Sequence, residues 1–115
     1  MSESPIIGTF ILDFQSTDFV PDGKIANDML SCWEKTSQLE KAFALDPPVQ
    51  SAGWFFAKMF LSGQFVEKIY AMNVKAIDGS KGKKFEDKFI AWLQKELKNR
   101  DCQAQIKIAP EMKSI

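Results

Sequence analysis

Apolar residues in this chain recur with two different spacings, which alternate in the order strand, helix, strand, strand, helix, strand. Residues 6–14 are apolar at nearly every position, as in a central strand covered on both sides. Residues 15–22 are rich in turn formers, and Asp22, just after Pro21, is placed to cap the helix that follows. Ile25, Met29, Trp33, Leu39 and Phe43 form one stripe, which predicts a helix over 23–44. Asp46-Pro47-Pro48 ends it, because a residue before proline is driven out of the helical region. A second helix over 83–100 carries Phe85, Phe89, Ile90, Trp92, Leu93 and Leu97 on one side. Glu86 and Asp87 near its start and Lys95, Lys98 and Arg100 near its end suit the helix dipole. Residues 103–109 then alternate polar and apolar, like a half-exposed edge strand.

The stretch 53–78 decides the fold. Read as a hairpin turning at Ser62-Gly63, it sets Phe60 opposite Phe65, Phe56 opposite Ile69, and Lys58 opposite Glu67. The competing reading makes 51–62 a helix closed by Gly63, since residues 54–61 contain no β-branched side chain; the chain is then mainly α.

With the hairpin, the order βαββαβ predicts an α+β, ferredoxin-like sandwich. It has a four-stranded antiparallel sheet of order 4-1-3-2 with both helices on one face. The chain reads as one domain over 1–115, with 1–4 and 110–115 as loose tails. The opposite face then exposes Trp54, Phe56, Phe60, Phe65 and Ile69 together. An apolar patch of that size needs a cover, and a second copy about a two-fold axis is the commonest one. These five residues are the expected interface.

Composition narrows the chemistry. There is no histidine, which excludes Ser-His-Asp and Cys-His catalysis and the usual zinc enzymes. Formal net charge is zero, though residues 1–50 carry three Lys against eight acids and residues 51–115 eleven Lys and one Arg against seven. Cys32 and Cys102 match no metal or redox spacing and read as two thiols, Cys32 buried beside Trp33 and Cys102 partly exposed. Asp13, Asp18 and Asp22 lack the spacing of a calcium loop and read as turn and cap residues, with Asp13 exposed at a strand end. Lys81, Lys83 and Lys84, beside Gly79 and Gly82, are the one basic cluster and a possible anion-binding loop, without P-loop spacing. The N-terminus lacks a basic leader and no apolar run spans a bilayer, so the chain is expected to be cytoplasmic and outside the membrane.

RNA-recognition modules share the expected topology, but Gly63-Gln-Phe-Val66 matches only a fragment of their signature. The first strand lacks the matching aromatics and the charge is neutral, so nucleic acid is not an expected partner. The leading expectation is a non-enzymatic interaction or adaptor domain, without cofactor, metal or catalytic residues, that pairs with itself or another protein. The alternative is a small-molecule-binding protein or histidine-independent enzyme, with a pocket lined by Phe55, Met59, Tyr70 and Met72.

Overall fold

The first strand, β1 (Phe10–Ser16), alternates strictly: Phe10, Leu12, Phe14 and Ser16 are buried, while Ile11, Asp13 and Gln15 are half-buried on the other side. In the computed structural model, which describes residues 9–109, this strand is central but covered on one face. Coverage on both faces, expected from its apolar run, is not found among the described residues. The expected strand positions 6–8 and the tails 1–4 and 110–115 lie outside those residues.

Helix α1 (Phe19–Thr36) starts earlier and stops sooner than the expected 23–44. Pro21 fits its first turn, where a missing N–H costs nothing. Its end is a Schellman turn: Leu39 N–H donates to the Glu34 carbonyl (3.1 Å) and Gln38 N–H to that of Lys35 (3.0 Å). Gln38 takes the left-handed position, with φ 61°, where glycine is usual. No glycine advertised this stop. Leu39 and Phe43, expected on the helix, therefore lie beyond it.

The chain continues as β2 (Phe43–Leu45), β3 (Val49–Ser51) and β4 (Trp54–Leu61). Ala52 (φ 52°) and Gly53 (φ 82°) make the tight turn between β3 and β4, both in the left-handed region that two-residue hairpins of type I′ require. Asp46-Pro47-Pro48 does not end a helix. It interrupts pairing along the edge of β4 after the Asp46 N–H has donated to the Lys58 carbonyl (2.9 Å).

After β4 the hairpin expected at Ser62-Gly63 does not form, and neither does a helix over 51–62. Ser62, extended at φ −65° and ψ 154°, caps a helix instead: its Oγ accepts from the Phe65 N–H (3.1 Å). Helix α2 (Gly63–Met72) buries Phe65, Val66 and Ile69, and α3 (Val74–Asp78) adds Ile77. The remaining elements are α4 (Phe85–Asn99), close to the expected 83–100, and β5 (Gln105–Ile108), within the expected 103–109. A second Schellman turn closes α4, with Asp101 at φ 66° and Cys102 N–H on the Leu97 carbonyl (3.0 Å).

The described residues thus form an α+β molecule with an open antiparallel sheet of five strands and four helices, not four strands and two helices. The strand path is β2-β4-β1-β5. β1 takes one edge of β4, so β2 and β3 share the other. The helices cover one face, where Phe14, Phe65, Phe89, Leu12, Leu93 and Leu97 are fully buried. Phe10 meets Phe89 edge-on at 5.5 Å, and Trp33 stacks on Trp92 at 5.4 Å with the Arg100 guanidinium 5.7 Å above its ring.

Two substitutions test this account by urea unfolding. Phe89→Ala is expected to cost about 3–5 kcal/mol, because its site is enclosed and cannot collapse. Gln38→Gly is expected to gain up to about 1 kcal/mol by relieving the left-handed position.

Candidate functional site

The register of the central strands assigns every side chain to a face. On the helix-free side, Ala44, Phe60 and Ile11 lie in one row across the sheet. Lys58, Asp13 and Lys107 lie in the next, and Val49, Phe56, Gln15 and Gln105 in the third. Trp54 follows, opposite Ser51. No described helix packs on these rows. Phe56 is 39% exposed and Val49 68%, while Trp54, Phe60 and Ile11 are half-buried.

Of the five residues expected to form the interface, Trp54, Phe56 and Phe60 share this face. Phe65 and Ile69 do not: they are on α2, fully enclosed in the core on the opposite side of the sheet. The cause is the Ser62 cap, which turns the chain into a helix where a second strand was expected. Phe65 packs against Phe43 (6.1 Å) rather than Phe60. The partner of Lys58 also changes, from Glu67 to Asp13: Lys58 Nζ donates to Asp13 Oδ1 at 2.7 Å. Both side chains keep partial exposure, so the pair contributes at most about 1 kcal/mol. Asp13 is not an exposed strand end but a mid-strand member of a charged row.

That row extends to the sheet edge. Asp46, Asp13, Lys58, Val49 and Phe56 line a shallow groove of about 330 Å³ beside the break at Pro47. Signs alternate across it in the order Asp46, Lys58, Asp13, Lys107. No backbone or pattern signal in one strand discloses such a row, because its members come from separate strands.

Lys81, Lys83 and Lys84 are all exposed. Lys81 lies with Lys75, Ser80 and Lys95 along a depression that Lys83 and Lys84 do not line. The end of α3 points carbonyl groups there, with the Gly79 N–H already on the Lys75 carbonyl (3.0 Å). This negative helix end accounts for nearby lysines without an anion. Phe55, Met59, Tyr70 and Met72 do not converge on a pocket. Met59 is sealed in the core, Phe55 packs on Phe19 (6.3 Å), Tyr70 on Phe85 (5.1 Å), and Met72 is half exposed. Tyr70 donates its hydroxyl to Asp78 (3.0 Å), and that bond holds the phenol above its ordinary pKa.

One polar cluster is built on the buried Asp22 and Ser16, and sequence reasoning missed it. Asp22 sits inside the first turn of α1, not at its cap. Its Oδ2 accepts from Ser16 Oγ at 2.6 Å and its Oδ1 from the Gln103 N–H at 3.0 Å, while Ser16 Oγ accepts from the Asp18 N–H at 2.9 Å. Cys102 Sγ donates to the Asp22 carbonyl at 3.6 Å. Each of these groups is satisfied, so the cluster clamps the end of β1 and the start of α1 to the α4–β5 junction. The two thiols reverse their expected places: Cys32 is exposed and Cys102 buried. Among the described residues, no group of His, Cys, Asp and Glu is arranged to hold a metal ion, and no helix is long and apolar enough to cross a membrane.

No family model, curated protein or solved structure matches the chain.

Burial pushes the Cys102 thiol up from 9.0 to about 11. The folded protein therefore holds this proton where the unfolded chain releases it. The thiol's contribution to stability is intact below about pH 9 and lost as pH rises toward about 11. Urea unfolding from pH 8 to 11 is expected to show falling stability, with a shallower fall in Cys102→Ala. A thiol reagent at pH 8 should label Cys32 rapidly and Cys102 only on unfolding.

Proposed function

We propose that this chain is a non-enzymatic interaction domain that self-associates through its helix-free sheet face. The observation that carries the reading is the charged row flanked by aromatic residues. A two-fold axis lying in the interface, parallel to the strands, reverses the row Asp46, Lys58, Asp13, Lys107 against its copy. Each acid then meets a base. The same operation brings Trp54, Phe56 and Phe60 of one copy under cover of the other, and sheets pack well in that aligned geometry. A face that is self-complementary in charge and apolar on both sides of the row favours a second copy over a partner of one sign.

The fold supports this reading if β2 and β3 are two halves of one edge strand broken at Pro47-Pro48. The strand order is then that of a ferredoxin-like sandwich, with the α2–α3 segment added between the third strand and the last helix. In that arrangement the helix-free face is the side left for a partner.

Sedimentation or light scattering at micromolar concentration is expected to give a dimer mass. Phe56→Asp and Trp54→Asp should lower it to a monomer while unfolding stays cooperative. Lys58→Asp should weaken association, because it sets an acid against Asp13 of the copy, and pairing it with Asp13→Lys, which again sets an acid against a base at both central places, should restore it. A wild-type chain that stays monomeric at 100 μM, about a hundred times a dissociation constant of 1 μM, overturns the proposal.

A further inference from the structure

The outer edge of β5 lies at the side of the sheet, not on its face, and its backbone is half used. In the β1–β5 pair the N–H and C=O of Gln105 and Lys107 turn toward β1, and the Ala109 N–H continues that pattern on the Ile11 carbonyl (3.0 Å). Ala104, Ile106 and Ile108 therefore turn their backbone groups outward. There the Gln94 carboxamide of α4 donates to the Ala104 carbonyl and accepts from the Ile106 N–H, each at 2.9 Å. A residue in a strand parallel to β5 makes this same pair of bonds, to the carbonyl of residue i−1 and the N–H of residue i+1. Gln94 thus stands in for one peptide unit of a neighbouring strand, opposite Gln105. The next pair in the series is the Ile106 carbonyl and the Ile108 N–H, which hold no such partner among the described residues. Beside them a groove of about 400 Å³ runs between α4 and β5, lined by Ile90, Ala91 and Ile108, with Asp87 on the helix side.

We propose that this edge receives an extended peptide as a further, parallel strand, with an acidic residue opposite Lys107 and apolar residues on either side of it. The acidic residue's peptide unit bridges the Ile106 carbonyl and the Ile108 N–H, following Gln94 in register. Its carboxylate falls on the helix-free face beside Lys107 and continues the alternation of signs across the sheet. Its apolar neighbours turn to the other face, onto Ile90 and Ile108. β1 already offers the inner edge of β5 this triplet: Leu12, Asp13 and Phe14 lie opposite Ile108, Lys107 and Ile106. A second β5 is a poorer occupant. Antiparallel pairing centred on Lys107 opposes two like charges, and pairing centred on Ile106 needs the N–H that Gln94 holds.

The test is a titration of the ¹⁵N-labelled full chain with a capped peptide copying residues 10–16, followed by amide chemical shifts. Saturable shifts are expected at Ile106, Lys107, Ile108 and the Gln94 side chain. Methylating the peptide nitrogen of the probe's aspartate should abolish them, since that N–H is the donor to Ile106. Replacing that aspartate by lysine should weaken binding at least about threefold, and Lys107→Glu should reverse the preference between the two probes. Self-association is read from mass and this site from titration, so either can fail alone. Shifts that are absent, that centre on Trp54, Phe56 and Phe60, or that ignore N-methylation overturn the proposal.

Discussion

Seven antiparallel pairs between β1 and β4, from Phe10 opposite Leu61 to Ser16 opposite Phe55, set the inside and outside of this molecule. The side-chain period of a strand is two, so this one register sends Phe10, Leu12, Phe14, Ala57, Met59 and Leu61 to the helices. It sends Ile11, Asp13, Lys58 and Phe60 the other way. A slip of one residue would put Asp13 and Lys58 into the core and the phenylalanines into water. Asp13–Lys58 therefore matters more for alignment than for its small energy. It is satisfied in the native register, where both charges keep access to solvent.

The helical layer depends on that register and on a second, polar constraint. Asp22 is 3% exposed, and a buried carboxylate is tolerated only where its oxygens are bonded. Ser16 Oγ and the Gln103 N–H meet that demand from β1 and from the α4–β5 junction, 81 positions away in the second case. The clamp fixes where α1 leaves the sheet and where β5 joins it. Cys102, sealed beside the clamp, closes the same corner with a thiol that burial keeps protonated.

Sequence periodicity made α4, β5 and the central role of β1 legible because each has one uninterrupted pattern. The strand character of residues 54–61 was also legible, despite the lack of β-branched residues. Three local signals were not. Gln38 and Asp101 end helices in the left-handed position without glycine, so α1 read as eight residues too long at its C-terminal end. Ser62-Gly63 suits a turn and a helix cap equally well, and only the three-residue reach from Ser62 Oγ to the Phe65 N–H separates them. Pro47-Pro48 reads as a helix stop when Phe43 is placed on the helix, but as an edge break once Phe43 pairs with Leu61. Of the candidate site, the aromatic half on β4 was visible in one strand's alternation. The charged row was not, since Asp46, Lys58, Asp13 and Lys107 meet only through pairing between strands distant in sequence.

The two edges of the sheet are managed by different means, and the difference sorts the molecule's surfaces. On the β2–β3 edge, Pro47 and Pro48 offer no N–H and split the ladder, which discourages strand addition. On the β5 edge the protection is a side-chain amide that satisfies one carbonyl and one N–H and leaves the following pair. Among the described residues, the β5 edge thus keeps an unmet backbone pair at Ile106 and Ile108, whereas the sheet's exposed apolar side chains, Val49 and Phe56, lie toward the other end of the row. Backbone groups recognise extended chain, and an apolar face recognises another apolar face. Lys107 belongs to both regions, as the last charge of the row and the only one beside the unfilled edge. A ligand at either place thus alters the charge pattern that the other presents.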